Sequence, residues 1–285
     1  MLEALHYPFF VRALLAGLLA SIASGVVGSY VVVKRISTIS GGLSHAAFGG
    51  VGLAYLLGVP PMLGGGVFAL LAGLGIGVAY QRLKTSLDTM IAAAWSVGMA
   101  LGIVFVSLKE GYTPDLMSFL FGSILFVSEP WLYFTLGLDL VVLLVVGLLF
   151  VPLRASAFDS EFTEVMGVPS GKLFNLMMVL VALTVVLLIQ VVGVILTIAL
   201  LTLPAVIARH WTDHLGTMMA LASAICAAVF ASGLFLAYDL TDRFDADIPT
   251  GPVIILIAAT LYAVSAAAAR FRDRSRPPLP TPPGA

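Results

Sequence analysis

Long apolar segments follow one another along almost the whole chain, and only short polar stretches separate them. A helix needs about 20 mostly apolar residues to cross a hydrocarbon layer about 30 Å thick. The pattern predicts an all-α, polytopic transmembrane bundle of about nine spans, with a range of about eight to ten. The predicted spans are 9–33, 39–58, 62–81, 88–108, 131–153, 173–190, 192–208, 215–238 and 252–269.

Two stretches leave the element count open. The sequence around Gln190–Gly193 fits two short helices or one long bent element. Leu116–Val127 is apolar but short for a span, which favours a re-entrant or interfacial segment.

Composition excludes several classes of protein. Hydrophobic residues make up 60% of the chain and charged residues 10%, against about 25% charged in ordinary soluble domains, so a water-soluble globular fold is excluded. The net charge of −1 gives no electrostatic basis for binding nucleic acid. The single cysteine, Cys226, excludes a disulfide framework and a thiolate metal cluster.

The basic residues predict the orientation of the bundle. With nine spans, eleven of the 14 basic residues fall on the side of the C-terminus, as the positive-inside rule requires of the cytoplasmic side. We therefore expect the N-terminus outside and the C-terminus inside. The eleven are Lys34, Arg35, Arg82, Lys84, Arg154, Lys172, Arg209, Arg270, Arg272, Arg274 and Arg276.

The chain is expected to form one domain. Residues 1–276 are predicted as a single transmembrane domain, and residues 277–285 as a proline-rich, disordered tail. A cleaved leader is not expected, because the first residues carry Glu3 and no basic residue, and Arg12 interrupts the first apolar run.

No motif for nucleotide chemistry is found. The nearest candidate, Gly167–Leu173, has three residues between its glycines instead of four, and Leu instead of Ser or Thr after the lysine. A turn before a span explains it better. No nucleophile elbow or zinc-protease motif occurs either, so the chain is not expected to be an enzyme.

The longest predicted cytoplasmic loop contains a short amphipathic helix. Asp159–Met166 places Phe158, Phe162 and Val165/Met166 on one side, and Gly167 and Pro169 follow as a cap and a stop. Such a helix could dock a cytoplasmic partner, or it could rest in the lipid headgroups; the residues alone leave both open.

The second span carries a stripe of small residues. Gly41, His45, Gly49 and Gly52 recur at helical spacing, so a neighbouring backbone or a transport pathway can approach closely. His45 lies ten residues after Arg35, which places it near the membrane midplane. It could be a metal ligand on a pathway or a packing histidine with an interhelical hydrogen bond.

Two groups of carboxylates also allow two interpretations. Asp139 in the fifth span could belong to a pathway or pair with a polar partner such as Arg12, and pairing is favoured. The outer loop Asp239–Asp247 could attract cations, although a solvated acidic loop explains it more simply.

Five segments, in order, resemble the permease subunits of the zinc/manganese/iron family of bacterial ABC importers. They cover nearly the whole chain, and their order makes the resemblance specific. They are KRISTISGGLSHAAFGGVGLAY from Lys34, DLMSFLFGSIL from Asp115, DSEFTEVMGVP from Asp159, the span ending LLTLPAVIAR at Arg209, and DIPTGP from Asp247.

The resemblance implies an alternating-access importer of a divalent metal in the bacterial cytoplasmic membrane. It implies separate cytoplasmic ATPase subunits that bind ATP and magnesium, an extracytoplasmic metal-binding protein, and a second copy of the permease. Asp159, Glu161, Glu164 and Gly167 are then expected to contact the ATPase, and His45 to line the metal path. No cofactor is expected in this chain.

One position departs from the family pattern. Many members carry Asp four residues before the histidine, and this chain has Gly41 there. The alternatives are an ABC permease for an iron chelate or cobalamin, and an ion-coupled secondary transporter; the second class commonly shows internal repeats and midplane charges, of which this chain has few.

Overall fold

The computed structural model describes residues 2–83, 85–109, 122, 127–246 and 248–274, and these residues form helices and connecting loops without a β-strand. A 3-10 turn, Leu2–His6, precedes the first helix. The helices are α1 (Pro8–Val33), α2 (Thr38–Leu57), α3 (Pro61–Leu83), α4 (Leu87–Ser107), α5 (Glu129–Leu148), α6 (Phe150–Phe158), α7 (Ser160–Val165), α8 (Ser170–Val192), α9 (Val194–Arg209), α10 (Leu215–Phe244) and α11 (Thr250–Arg274).

The all-helical, membrane-type fold is confirmed. Within the described ranges, seven helices are long and apolar enough to cross a membrane: α1, α3, α4, α5, α8, α10 and α11. Each of the other two predicted spans is also a helix, but α2 is rich in glycine and serine, and α9 has only 16 residues. That these two cross the membrane, and the resulting total of nine, stays a prediction, as does the orientation.

The interior of the bundle is formed by α1, α8 and α9. Helix α1 packs against α5, α8, α9 and α10, while α2 packs between α3 and α4. Helices α4, α5 and α11 bury a smaller part of their surface than α1 and α8 do. Most of the glycine, alanine and serine residues of α1 and α2 are buried where these helices contact their neighbours. Such small residues allow helices to approach closely, which stabilises a bundle in lipid.

The predicted span 131–153 is wrong in its extent. Helix α5 ends at Leu148, Leu149 leaves helical geometry, and α6 starts at Phe150. Pro152 explains the break, because it has no N–H for the Leu148 carbonyl and its ring would clash with that carbonyl in a continuous helix. The predicted span is therefore divided at Leu149 into a long helix and a short one.

Gln190–Gly193 separates two helices rather than bending one. Helix α8 ends at Val192 and α9 begins at Val194, while Gly193 has φ of 83°, which favours glycine. Gly122 lies against this break, since a Cβ on it would be 2.5 Å from the Gly193 nitrogen. The rest of the predicted segment Leu116–Val127 lies outside the described residues, apart from buried Val127.

The acidic stretch Asp239–Asp247 is partly helical, against the expectation of a loop. Helix α10 continues to Phe244, so Asp239 and Asp242 lie on its last turns and Asp239 pairs with Arg243 at 2.7 Å. Asp247 and the tail 277–285 lie outside the described residues.

Candidate functional site

The glycine stripe of α2 (Gly41, His45, Gly49 and Gly52) faces α4. A Cβ at position 49 would lie 2.9 Å from the Gly98 carbonyl oxygen, and one at position 52 would lie 2.5 Å from the Gly102 carbonyl oxygen. Real side chains are not accommodated at such distances. The stripe therefore allows two helix backbones to touch, which is one of the two uses that the sequence predicted for it.

His45 stacks on a tryptophan at this helix contact. The imidazole of His45 and the indole of Trp95 on α4 have centroids 4.4 Å apart and planes 13° apart. Gly41 provides the space, because a Cβ there would lie 2.9 Å from the Trp95 ring. The indole thus covers one face of the imidazole and occupies the volume beside position 41.

The ring nitrogens of His45 are unpaired within the part of the chain that the structure describes. They make no hydrogen bond to another described residue, so the interhelical hydrogen bond of the packing alternative is not formed within that part of the chain. Nitrogen lone pairs lie in the ring plane, and stacking on the ring face does not block them. His45 can therefore bind a divalent metal through its edge.

A preformed metal cluster is not seen in the described part of the chain. No group of three or more His, Cys, Asp or Glu side chains there could hold a metal ion together. A metal at His45 would take its further ligands from water, from backbone carbonyls or from a second chain, and such a site binds weakly.

The suggested pairing of Asp139 with Arg12 is wrong. The Arg12 guanidinium instead lies 3.8 Å from the Glu129 carboxylate at the start of α5, where the Glu129 side chain is 72% exposed and the Arg12 side chain 35%. Asp139 is buried on α5, and neither of its oxygens has a hydrogen-bond partner among the described residues. Thr135, one turn earlier, is also buried with its hydroxyl unpaired there.

The docking helix α7 has well-defined ends. The Asp159 carboxylate accepts a hydrogen bond of 2.9 Å from the Phe162 N–H and caps the first turn. At the other end, Gly167 has φ of 81°, its N–H donates to the Glu164 carbonyl, and the Val168 N–H donates to the Thr163 carbonyl. This Schellman ending confirms the predicted helix and the role of Gly167 as its cap.

The apolar side of the docking helix faces outward. Four side chains on and beside it are largely exposed, at 62% for Phe158, 60% for Phe162, 85% for Val165 and 66% for Met166. Thr163 is the anchoring residue: it is buried, and its hydroxyl donates to the Asp159 carbonyl. The helix thus presents apolar residues, together with Glu161, on the surface.

The docking helix is linked to two neighbouring segments. Burial lowers the pKa of the Lys34 ammonium in the loop between α1 and α2, and the negative charge of nearby Asp159 opposes that shift. The Ser170 hydroxyl donates to the Glu164 carboxylate at 3.1 Å. The helix is therefore tied to the start of α8 by a hydrogen bond, and its capping residue Asp159 lies near the end of α1.

A groove runs along one side of the docking helix. It has a volume of about 820 Å³ and lies between α6, α7 and the start of α10. Arg154, Phe158 and Phe162 form one wall, and Asp213 and His214 belong to the other. A partner with a short protruding segment could insert there.

Sequence reasoning missed Trp95. The residue lies on an ordinary apolar helix, and nothing in the second span indicates which helix faces it. A signal existed in α4, where Trp95 is followed by Gly98 and Gly102 at helical spacing, a second stripe of small residues that matches the one on α2.

Comparisons with known proteins point to one family. The model described as the ABC 3 transport family matches residues 6–269. The manganese import system permease protein ScaB of Streptococcus parasanguinis is 34% identical over 260 residues, which cover 91% of this chain and 90% of that protein. The manganese transport system membrane protein MntC of Halalkalibacterium halodurans is 31% identical over 263 residues, with 92% and 88% covered.

A solved structure gives the same result in three dimensions. The structure described as PsaBC from Streptococcus pneumoniae in complex with Fab matches with a TM-score of 0.80 and 30% identity, and the match covers 95% of this chain and 96% of the other. The similarity therefore extends over nearly all of the chain and includes both the glycine stripe and the docking helix.

Proposed function

Because the chain belongs to the ABC 3 transport family, we propose that it is the membrane permease of an ATP-driven importer for a divalent transition metal ion. Among zinc, manganese and iron, manganese is the first candidate. The observation that carries the proposal is the similarity, over about nine-tenths of the chain, to two permeases named for manganese transport. Those relatives favour a metal ion over the alternatives of a chelate, cobalamin or a substrate of a secondary transporter.

The chain is a multi-pass protein of the bacterial inner membrane. The proposed topology has nine spans, with α2 and α9 added to the seven long apolar helices, and with the N-terminus outside. This arrangement places α6, α7 and the loop between α9 and α10 on the cytoplasmic side, together with most of the basic residues.

ATP hydrolysis is assigned to a partner chain. The docking helix would receive a cytoplasmic ATPase subunit that carries ATP and magnesium, and Asp159, Glu161, Glu164 and Gly167 would each have a part. Asp159 and Gly167 terminate the helix, Glu164 ties it to α8, and Glu161 is exposed for contact. An exposed apolar helix next to a groove supports this role, since a lone surface helix would leave that apolar area in water.

The transported metal would pass His45. An extracytoplasmic binding protein would deliver the ion, and a second copy of the permease would complete the path. A single imidazole whose nitrogens make no hydrogen bond to another described residue supports a pathway, because an ion in transit must be released as well as bound.

Elemental analysis tests the proposal. Cells that lack this chain should contain less manganese than cells in which the chain is restored. Radioactive manganese added to the medium should also enter the cells that lack the chain more slowly. The two strains would be compared under limitation of each metal in turn. Equal contents of manganese, zinc and iron in both strains would contradict the proposal that the chain transports a metal ion. Slower uptake of a chelated iron complex alone would support the chelate alternative instead.

A further inference from the structure

We infer that Trp95 is a positioning residue for the transported metal, which holds the His45 imidazole and stabilises it when it carries the ion's charge. This inference rests on the proposed function, because it assumes that the metal meets His45. Trp95 itself would bind no metal.

The first argument is geometric. A free imidazole in the middle of a helix bundle can rotate about two bonds, and each orientation directs its nitrogens to a different place. The parallel indole at 4.4 Å restricts the ring to one plane. The nitrogen edge then stays open while one face is covered, so the ligand is preorganised.

The second argument is electrostatic. An imidazole bound to a divalent ion carries part of the positive charge, and the face of an indole attracts a cation within about 6 Å of its centroid. Tryptophan is the strongest of the aromatic side chains in this interaction. Stacking would therefore be tighter in the metal-bound state than in the free state, which increases metal affinity.

The surrounding backbone keeps this arrangement in place. Gly41 leaves room for the indole, as a Cβ there would lie 2.9 Å from the ring. Gly49 and Gly98 bring the two helices into backbone contact one turn further on. Trp95 keeps 37% of its surface exposed, so the contact that brings the indole to His45 covers part of the side chain and leaves the rest at the surface of the bundle.

Metal binding to the full-length chain tests the inference. The purified protein in lipid nanodiscs is titrated with Mn²⁺, and the remaining free Mn²⁺ is followed by its paramagnetic resonance signal. Trp95→Leu should raise the half-saturating Mn²⁺ concentration by roughly two- to thirtyfold, the range of one cation–π contact. Trp95→Phe should restore most of the affinity, because it keeps an aromatic face.

A double mutant separates positioning from general packing. If Trp95 acts through His45, His45→Ala/Trp95→Leu should bind Mn²⁺ no more weakly than His45→Ala. The inference would be overturned if the double mutant bound Mn²⁺ more weakly than His45→Ala by the same factor that Trp95→Leu causes alone. It would also be overturned if Trp95→Leu bound Mn²⁺ with normal affinity. Tyr133→Leu, at a largely exposed aromatic on α5, is the matched control and should bind normally.

Fluorescence provides a second measurement that remains informative if Trp95→Leu folds poorly. In a Trp131→Phe/Trp211→Phe protein, Trp95 is the remaining tryptophan of three, and paramagnetic Mn²⁺ bound at His45 should quench its emission. His45→Ala should abolish the quenching, and emission insensitive to Mn²⁺ would contradict the inference. If His45→Ala impairs uptake while Trp95→Leu binds normally, the proposed function stands and only the role of Trp95 fails.

Discussion

The Ser170 hydroxyl donates a hydrogen bond of 3.1 Å to the Glu164 carboxylate and thereby joins the docking helix α7 to the first turn of α8. Helix α8 is the most deeply buried of the seven long apolar helices. A displacement of α7 by a partner would therefore reach the interior of the bundle through this contact. The relationship connects the surface at which ATP hydrolysis would act with the helices around the path.

Removing this hydrogen bond should weaken coupling rather than docking. Ser170→Ala deletes one hydrogen bond from a buried hydroxyl to the charged carboxylate of Glu164, which is itself exposed, and such a bond contributes about 1–2 kcal/mol. We expect metal uptake to fall several-fold while the ATPase still co-purifies with the permease. Ser107→Ala removes a hydroxyl whose hydrogen bond among the described residues lies within α4, and it should leave uptake unchanged. Normal uptake by Ser170→Ala would show that this contact does not couple α7 to transport.

The helices and their ends could largely be predicted from local sequence. The docking helix followed from the spacing of Phe158 and Phe162 and from Gly167, because caps and turns depend on neighbours in the chain. Pro152 indicates the break after Leu148, but the strongly apolar residues on both sides of it favoured one continuous span. Composition could not show whether α2 spans the membrane, since its glycines and serines lower the hydropathy of a helix that is buried among others.

The partner of His45 could not be predicted. Trp95 is 50 positions away, and its stacking depends on the register and rotation of α2 relative to α4. The two stripes of small residues allow these helices to touch, but they do not specify one register or one rotation. The position of Arg12 is a similar case, because the orientation of α1 decides between Glu129 and Asp139. Local patterns thus predicted the candidate ligand, and tertiary packing determined its environment.

Charge reversal on the docking helix should prevent ATPase binding. Glu161→Lys changes an exposed side chain near four exposed apolar residues and should abolish co-purification of the ATPase without lowering the membrane abundance of the chain. Asp242→Lys makes the same change in charge at the end of α10, on the proposed outer side, and serves as the control. Undiminished co-purification with Glu161→Lys would remove this surface from the proposed interface.

The contact between α2 and α4 should tolerate no added methyl group. In Gly52→Ala the new Cβ would lie 2.5 Å from the Gly102 carbonyl oxygen, so the helices must separate, at a cost of about 1–3 kcal/mol. We expect a lower melting temperature of the purified protein. In Gly147→Ala on α5 the added Cβ would have no described atom within 4 Å, so this variant should be neutral or slightly stabilising, because alanine favours helix. Equal melting temperatures for the two variants would mean that α2 and α4 do not touch at Gly52.

The buried carboxyl group of Asp139 should destabilise the fold. Its oxygens have no partner among the described residues, and an unsatisfied buried polar group costs about 1–3 kcal/mol. Asp139→Leu, which has the same branching at Cγ, should therefore raise the melting temperature and leave uptake unchanged. Lost uptake with normal abundance would instead identify Asp139 as part of the transport path.

Replacing His45 should reduce transport without unfolding the protein. The imidazole is half-buried, and its described contact is the stack on Trp95, so His45→Ala leaves a small gap beside the indole while removing the proposed ligand. We expect Mn²⁺ uptake per permease molecule to fall at least about tenfold, as happens when groups that support a bound metal are removed. His6→Ala, at an exposed histidine near the N-terminus, is the matched control. If His45→Ala transports Mn²⁺ as fast as the unmodified chain does, then the histidine only fills space between α2 and α4, because a pathway ligand cannot be removed without changing the rate at which the ion enters or leaves its site.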